Sequence, residues 1–157
     1  MKLILIRHGE SAHNRGYKVA GIENNLTAVG VTQSIKIGEK LLHQKVDVIY
    51  CSPAPRCTQT LDEILRVRDD NMPIHLTSLV GPKLKKENYE KLKARIELFL
   101  DDLNYDQKPT DTVVVVSHLL AIQMMTFLLT DNKRRLENGE IIEVEMKKID
   151  KMKYGKN

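Results

Sequence analysis

The run Thr112-Val113-Val114-Val115-Val116 constrains this chain more than any other feature. Five successive β-branched residues suit a pleated strand and not a helix. With no polar residue alternating among the valines, the strand needs cover on both faces. Lys2 to Ile6 is a second short continuous apolar run, Lys2-Leu3-Ile4-Leu5-Ile6. Asp47 to Cys51 reads as a further strand, and Ile74 to Leu76 as a short one.

Helical patterns fall between these strands. Thr27 can cap a helix whose apolar positions Val31, Ile35, Ile37, Leu41 and Leu42 recur near helical spacing. Pro55 suits the first turn of a second helix that buries Leu61, Ile64 and Leu65. Glu87 to Leu103 is periodic through Leu92, Ile96, Phe99, Leu100 and Leu103, and a fourth helix spans about Leu119 to Leu129. Asn138-Gly139 then turns the chain into a last strand, Glu140 to Met146. Strands alternating with helices predict an α/β three-layer sandwich with a mostly parallel central sheet flanked by helices. At 157 residues, one domain over 1–157 is the simplest organisation.

The charge balance excludes some partners. The net charge is +4, and residues 147–157, with five Lys and one Asp, hold all of the excess. That is a basic, frayed terminus and not a nucleic-acid surface. The apolar run 3–6 is too short for a membrane span or a signal-peptide core. Cys51 and Cys57 form neither a CxxC pair nor a disulfide framework, so a cytoplasmic protein with reduced thiols is expected.

In open α/β sheets, ligands gather beyond the carboxyl ends of the strands. Three predicted strands end in Arg7-His8-Gly9-Glu10, in Ser52-Pro53 with Arg56 just beyond, and in Ser117-His118. Two Arg and two His thus converge on one rim. Two guanidiniums can fork onto phosphoryl oxygens. One imidazole can attack phosphorus, and a second, if protonated, can stabilise the equatorial oxygens. Gly9 lets backbone approach an anion closely. Fixed cations do the neutralising, so neither metal nor other cofactor is implied. Each of the four residues alone is more simply a surface or satisfied core residue. Their coincidence at strand ends carries the reading.

Several motifs resemble those of the histidine phosphatase superfamily, whose members include the phosphoglycerate mutases. Leu5-Ile6-Arg7-His8-Gly9-Glu10-Ser11 with Asn14 resembles its signature. Leu26-Thr27 with Gly30 and Gln33, Cys51-Ser52-Pro53 with Arg56, Gln59 and Thr60, and Val114-Val115-Val116-Ser117-His118 follow in the family's order. The resemblance implies that His8 becomes phosphorylated, and that Arg7, Arg56 and His118 form the phosphate pocket. Asn14 would be a further substrate contact, whereas Ser11, His13 and Gln33 read as structural. It implies a phosphatase acting on phosphate monoesters of small molecules or of proteins.

Two positions depart from the family. Gly81, after Leu79-Val80, stands where many members carry a proton-donating Glu, and the segment before Lys86 is short. Glu87 is the nearest carboxylate in sequence that could substitute. Leu119 follows the second His where many members have Gly. The alternatives are a protein phosphohistidine phosphatase, a phosphoglycerate mutase, which the short segment disfavours, and a non-catalytic binder of phosphorylated ligands. Specificity would lie in Gly16 to Asn25 and Met72 to Lys86. Arg68, outside every motif, is expected to tolerate Lys.

Overall fold

The computed structural model describes residues 1–16 and 24–147. Most of the Gly16 to Asn25 segment, and the basic tail beyond Lys147, lie outside the described residues. The elements are β1 (Lys2–Arg7), α1 (Ala28–Leu41), β2 (Val48–Cys51), α2 (Pro55–Arg68), β3 (Ile74–Leu76), α3 (Tyr89–Asp106), β4 (Thr112–Ser117), α4 (Leu119–Thr130) and β5 (Ile141–Glu145). A single 3₁₀ turn, Ser78–Val80, follows β3.

The strands form one sheet in the order β3-β2-β4-β1-β5. The first four are parallel, and β5 runs antiparallel to β1. Alternation along the strands divides the interior in two. Leu3, Leu5, Val48, Tyr50, Val113 and Val115 pack against α3 and α4. Ile4, Ile6, Ile49, Cys51, Val114 and Val116 pack against α1 and α2. This two-sided burial is what the unbroken apolar runs demand, and it makes the three-layer α/β sandwich expected from the sequence.

The buried stripe of α1 differs from the expected one. Gly30, Ser34, Ile37, Gly38 and Leu41 face inward. Val31 and Ile35 are only half-buried, and Leu42 is exposed. The reason is close packing of backbone. A Cβ on Gly38 would lie 2.8 Å from Val67 Cβ on α2. A Cβ on Gly30 would lie 2.0 Å from the Glu10 carbonyl oxygen, and one on Gly9 2.4 Å from the Gly30 carbonyl oxygen. Glycines here let α1 press directly on the chain that follows β1. Thr27 caps the helix as expected, its hydroxyl accepting from Gly30 N.

Arg68 is not the inert surface residue that its position outside the motifs suggests. It is buried at the end of α2, where its guanidinium forks onto Asp70. Nη1 donates to the carbonyls of Leu41, the last residue of α1, and of Gln44 just beyond it. Arg68 thereby caps one helix from another. Among the described residues no helix is long and apolar enough to cross a membrane, and no group of His, Cys, Asp or Glu is arranged to hold a metal ion.

Candidate active site

Strands β1, β4 and β2 are sheet neighbours, and their carboxyl ends supply the site. In the parallel register Arg7 sits beside Ser117, so the next residues, His8 and His118, are neighbours too. His8 N donates to Ser117 O at 3.1 Å, which extends the ladder one step. The two imidazoles lie 5.2 Å apart, edge to face. Arg56 enters from the first turn of α2, beyond β2.

The guanidinium of Arg56 bridges the histidines. Its Nε lies 3.2 Å from His8 Nε2 and its Nη2 3.1 Å from His118 Nδ1. Its Nη1 donates to Asn24 Oδ1 at 3.0 Å. These contacts fix both tautomers, because arginine nitrogens only donate. His8 Nδ1 carries its proton toward Gly9 O at 2.8 Å, and Nε2 presents a lone pair. His118 shows the reverse: Nδ1 accepts from Arg56, and Nε2–H points to Ser52 Oγ at 2.8 Å. Cys57 Sγ is a further neighbour of that nitrogen at 3.4 Å.

Burial keeps both rings neutral. It lowers the His8 imidazole from 6.5 to about 4, against the Gly9 hydrogen bond and with help from Arg56, Arg7 and His13. It lowers His118 to about 2, with Arg56, His8, Arg95 and Arg7 adding to the effect. The condition set for the second imidazole, that it be protonated, is therefore not met by His118 at neutral pH in this arrangement. Arg56 is also lowered by burial, from a value so high that it stays charged.

Arg7 stands at the same strand end with a different attachment. Nη1 donates to Leu136 O at 2.7 Å, and Nε is buried without a partner. An unpaired buried N–H is costly, and this donor fits an anion that completes its set. Asn14 is exposed, and its Oδ1 accepts from Ser11 N, Ser11 Oγ and Asn138 Nδ2. That side chain closes a turn. Of the five sequence-chosen residues, His8, Arg56 and His118 touch one another, while Arg7 flanks them and Asn14 serves the neighbouring loop.

The structure adds positioning residues that the sequence reading did not single out. Thr60 Oγ1 accepts from Gly9 N at 3.0 Å and donates to Arg56 O at 2.7 Å, tying the β1 end to α2. Asn138 Nδ2 donates to His8 O at 3.2 Å. Gly139 N reaches both Arg7 O and His8 O at 3.1 Å, in a backbone with φ of 72° that favours glycine. Thr60 lay inside a quoted motif, and Asn138-Gly139 was read only as a turn.

Glu87 does not fill the place left by Gly81. Arg95 holds both of its oxygens at 2.9 Å, and Leu84 N donates to one of them. Those bonds set its carboxyl below the usual range, the Arg95 contact foremost. Arg95 also donates to the carbonyls of Ser78, Leu79, Gly81 and Pro82. Val80 O in that turn accepts from Ser117 Oγ at 2.6 Å. The short segment is thus tied to the end of β4 by the Ser117–Val80 hydrogen bond and to α3 by an ion pair that engages the Glu87 carboxylate. Gln33 behaves structurally, as expected, its Oε1 accepting from Glu10 N.

Residues 3–80 match the model of the histidine phosphatase superfamily, branch 1. A probable phosphatase of Schizosaccharomyces pombe is 35% identical over 85 residues, which cover 54% of this chain and 40% of that one. The chain thus spans less than half the length of that relative, and 51% of a second probable phosphatase from the same yeast. Among solved structures, an Escherichia coli protein provisionally described as an α-ribazole-5′-P phosphatase superposes with a TM-score of 0.82 at 20% identity. That match covers 94% of this chain and 91% of the other. A phosphoserine phosphatase from Entamoeba histolytica gives 0.68 at 24% identity, covering 90% and 89%. The folds agree along nearly the whole chain, and by the family match, which takes in β1 with His8 and α2 with Arg56, this protein belongs to the histidine phosphatase superfamily.

Proposed function

We propose that this chain is a phosphatase that hydrolyses phosphate monoesters through a phosphohistidine on His8. One observation carries the reading: His8 Nδ1–H is pinned to Gly9 O, so Nε2 is an unprotonated nucleophile held between Arg56 and His118. An arriving phosphoryl group exchanges the Arg56 Nε contact on His8 for contacts with its own oxygens. Nε2 attacks phosphorus, the P–N bond forms and the ester P–O bond breaks. The alcohol oxygen leaves with the bonding pair and takes a proton from solvent. Water then attacks the phosphohistidine, releasing phosphate and restoring the imidazole. Arg56, with Arg7 beside it, balances the charge, and the dianion itself favours a proton on His118.

A small-molecule ester is the substrate class that the relatives support, since they include phosphoserine, α-ribazole and glucosyl-3-phosphoglycerate phosphatases. The locked Glu87 favours a second reading on a specific ground. With the Glu87 carboxylate engaged by Arg95, good leaving groups react best, and the phosphoramidate of a protein phosphohistidine has one. A cytoplasmic location belongs to this proposal, supported by the two buried free thiols of Cys51 and Cys57. The test is hydrolysis of p-nitrophenyl phosphate by wild type beside His8→Ala. Turnover in the first and none in the second is expected; equal turnover in both rules out His8 as nucleophile.

A further inference from the structure

The segment that holds Arg7 and His8 from the β5 side also walls a cleft that the proposed chemistry leaves unused. Leu136 O, Asn138 Nδ2 and Gly139 N bond to Arg7 and His8, and Glu140 O accepts from Arg7 N. On the same stretch, Leu136, Ile141 and Ile142 provide the apolar part of the lining of a cleft of about 520 Å³, and Glu140 adds a carboxylate to it. Arg134 and Arg135 line it too, and Lys40 reaches it from the last turn of α1. Arg135 is 3.6 Å from Glu137, and the Glu140 carboxylate accepts from Glu137 N. Lys40 and Arg134 pair with no carboxylate among the described residues.

We propose that this cleft binds a small polyanion carrying a planar or apolar part, and that its occupancy is felt at His8. The volume falls in the range of small-molecule sites, and is larger than a lone phosphate would fill. Three cations against the single carboxylate of Glu140, beside the apolar side chains of Leu136, Ile141 and Ile142, match an occupant with at least two negative charges and an apolar edge. The route to the nucleophile is short and covalent in part. A ligand that draws Arg134 and Arg135 inward shifts Leu136, whose carbonyl holds the Arg7 guanidinium at 2.7 Å. Three residues on, Gly139 N and Asn138 Nδ2 hold His8 O. The ligand acts on His8 only as far as it binds the arrangements of this segment with different affinity.

The experiment titrates the full chain with pyrenetetrasulfonate, a planar polyanion that contains no phosphoryl group, at low salt. It follows the backbone amides of Arg135, Ile141 and Ile142 together with the His8 ring resonances by NMR. Saturable shifts are expected at the three amides, with the His8 ring moving in the same titration. In Lys40→Ala/Arg134→Ala the affinity should drop at least tenfold while the melting temperature is retained. Undiminished affinity in the double variant overturns the site. Shifts confined to His8, Arg56 and His118 overturn it as well, since the probe then sits on the catalytic rim. Saturation of the cleft amides with a motionless His8 ring overturns the coupling.

Discussion

Arg95 grips both carboxylate oxygens of Glu87 at 2.9 Å, so the carboxylate nearest in sequence to the vacant acid position is a structural anchor. Its lowered pKa keeps the carboxyl ionised at neutral pH, with no proton to donate. Turnover should therefore depend steeply on leaving-group pKa, with aryl phosphates and phosphoramidates far ahead of alkyl phosphates. General acid help is worth about 10²–10⁴-fold, so its absence is easily measured. Glu87→Gln should leave that dependence unchanged and lower the melting temperature, because it releases the 78–82 turn. A selective loss on alkyl substrates in Glu87→Gln would show instead that this residue donates the proton.

Arg56 touches both imidazoles through a planar fork that lysine cannot copy. Arg56→Lys should cost about 2–4 kcal/mol of transition-state stabilisation, read as the fall in kcat/KM. The control is Arg66→Lys, on an exposed ion pair with Glu63. Arg68→Lys is no control: it breaks the fork to Asp70 and the cap on α1, and should destabilise by roughly 1–3 kcal/mol with little change in kcat. Near-wild-type kcat/KM in Arg56→Lys would remove that guanidinium from the reaction.

Stability should fall on mild acidification because of the two buried site histidines, His8 and His118. Folded values near 4 and 2 lie below the unfolded value of 6.5. Between pH 6.5 and about 4.5 the unfolded chain takes up protons that the folded one refuses, so unfolding is favoured as pH drops. Each histidine contributes up to about 2–3 kcal/mol over that window. The depressed carboxylates of Asp47, Glu87 and Glu143 add their losses below it, as pH falls through their folded values. Urea midpoints at pH 6.5 and 4.5 check this, with His118→Asn expected to flatten the difference. Equal slopes in wild type and variant would mean that His118 titrates normally.

Most of the fold was legible because its signals are local. The apolar runs at β1 and β4 and the Thr27 cap each announce an element by spacing alone. The inward face of α1 was not legible, since Gly30, Ser34 and Gly38 are chosen by the backbone they touch and not by hydropathy. The site divides the same way. His8 and His118 stand at strand ends and Arg56 in the helical turn just beyond one, so all three could be found from position. Thr60, Asn24 and Asn138 hold them through contacts that span 32 to 130 residues in sequence, which no local pattern records. Arg68 misled for the same reason, its carbonyl partners lying on another helix.

The most direct measurement is the fate of phosphorus during turnover. The protein is mixed with ³²P-labelled phosphate monoester, quenched in alkali and digested, and the labelled peptide is identified. An alkali-stable, acid-labile phosphate on His8 that forms and decays fast enough to account for turnover is the predicted result. Label on another residue, or full activity in His8→Ala, would contradict it.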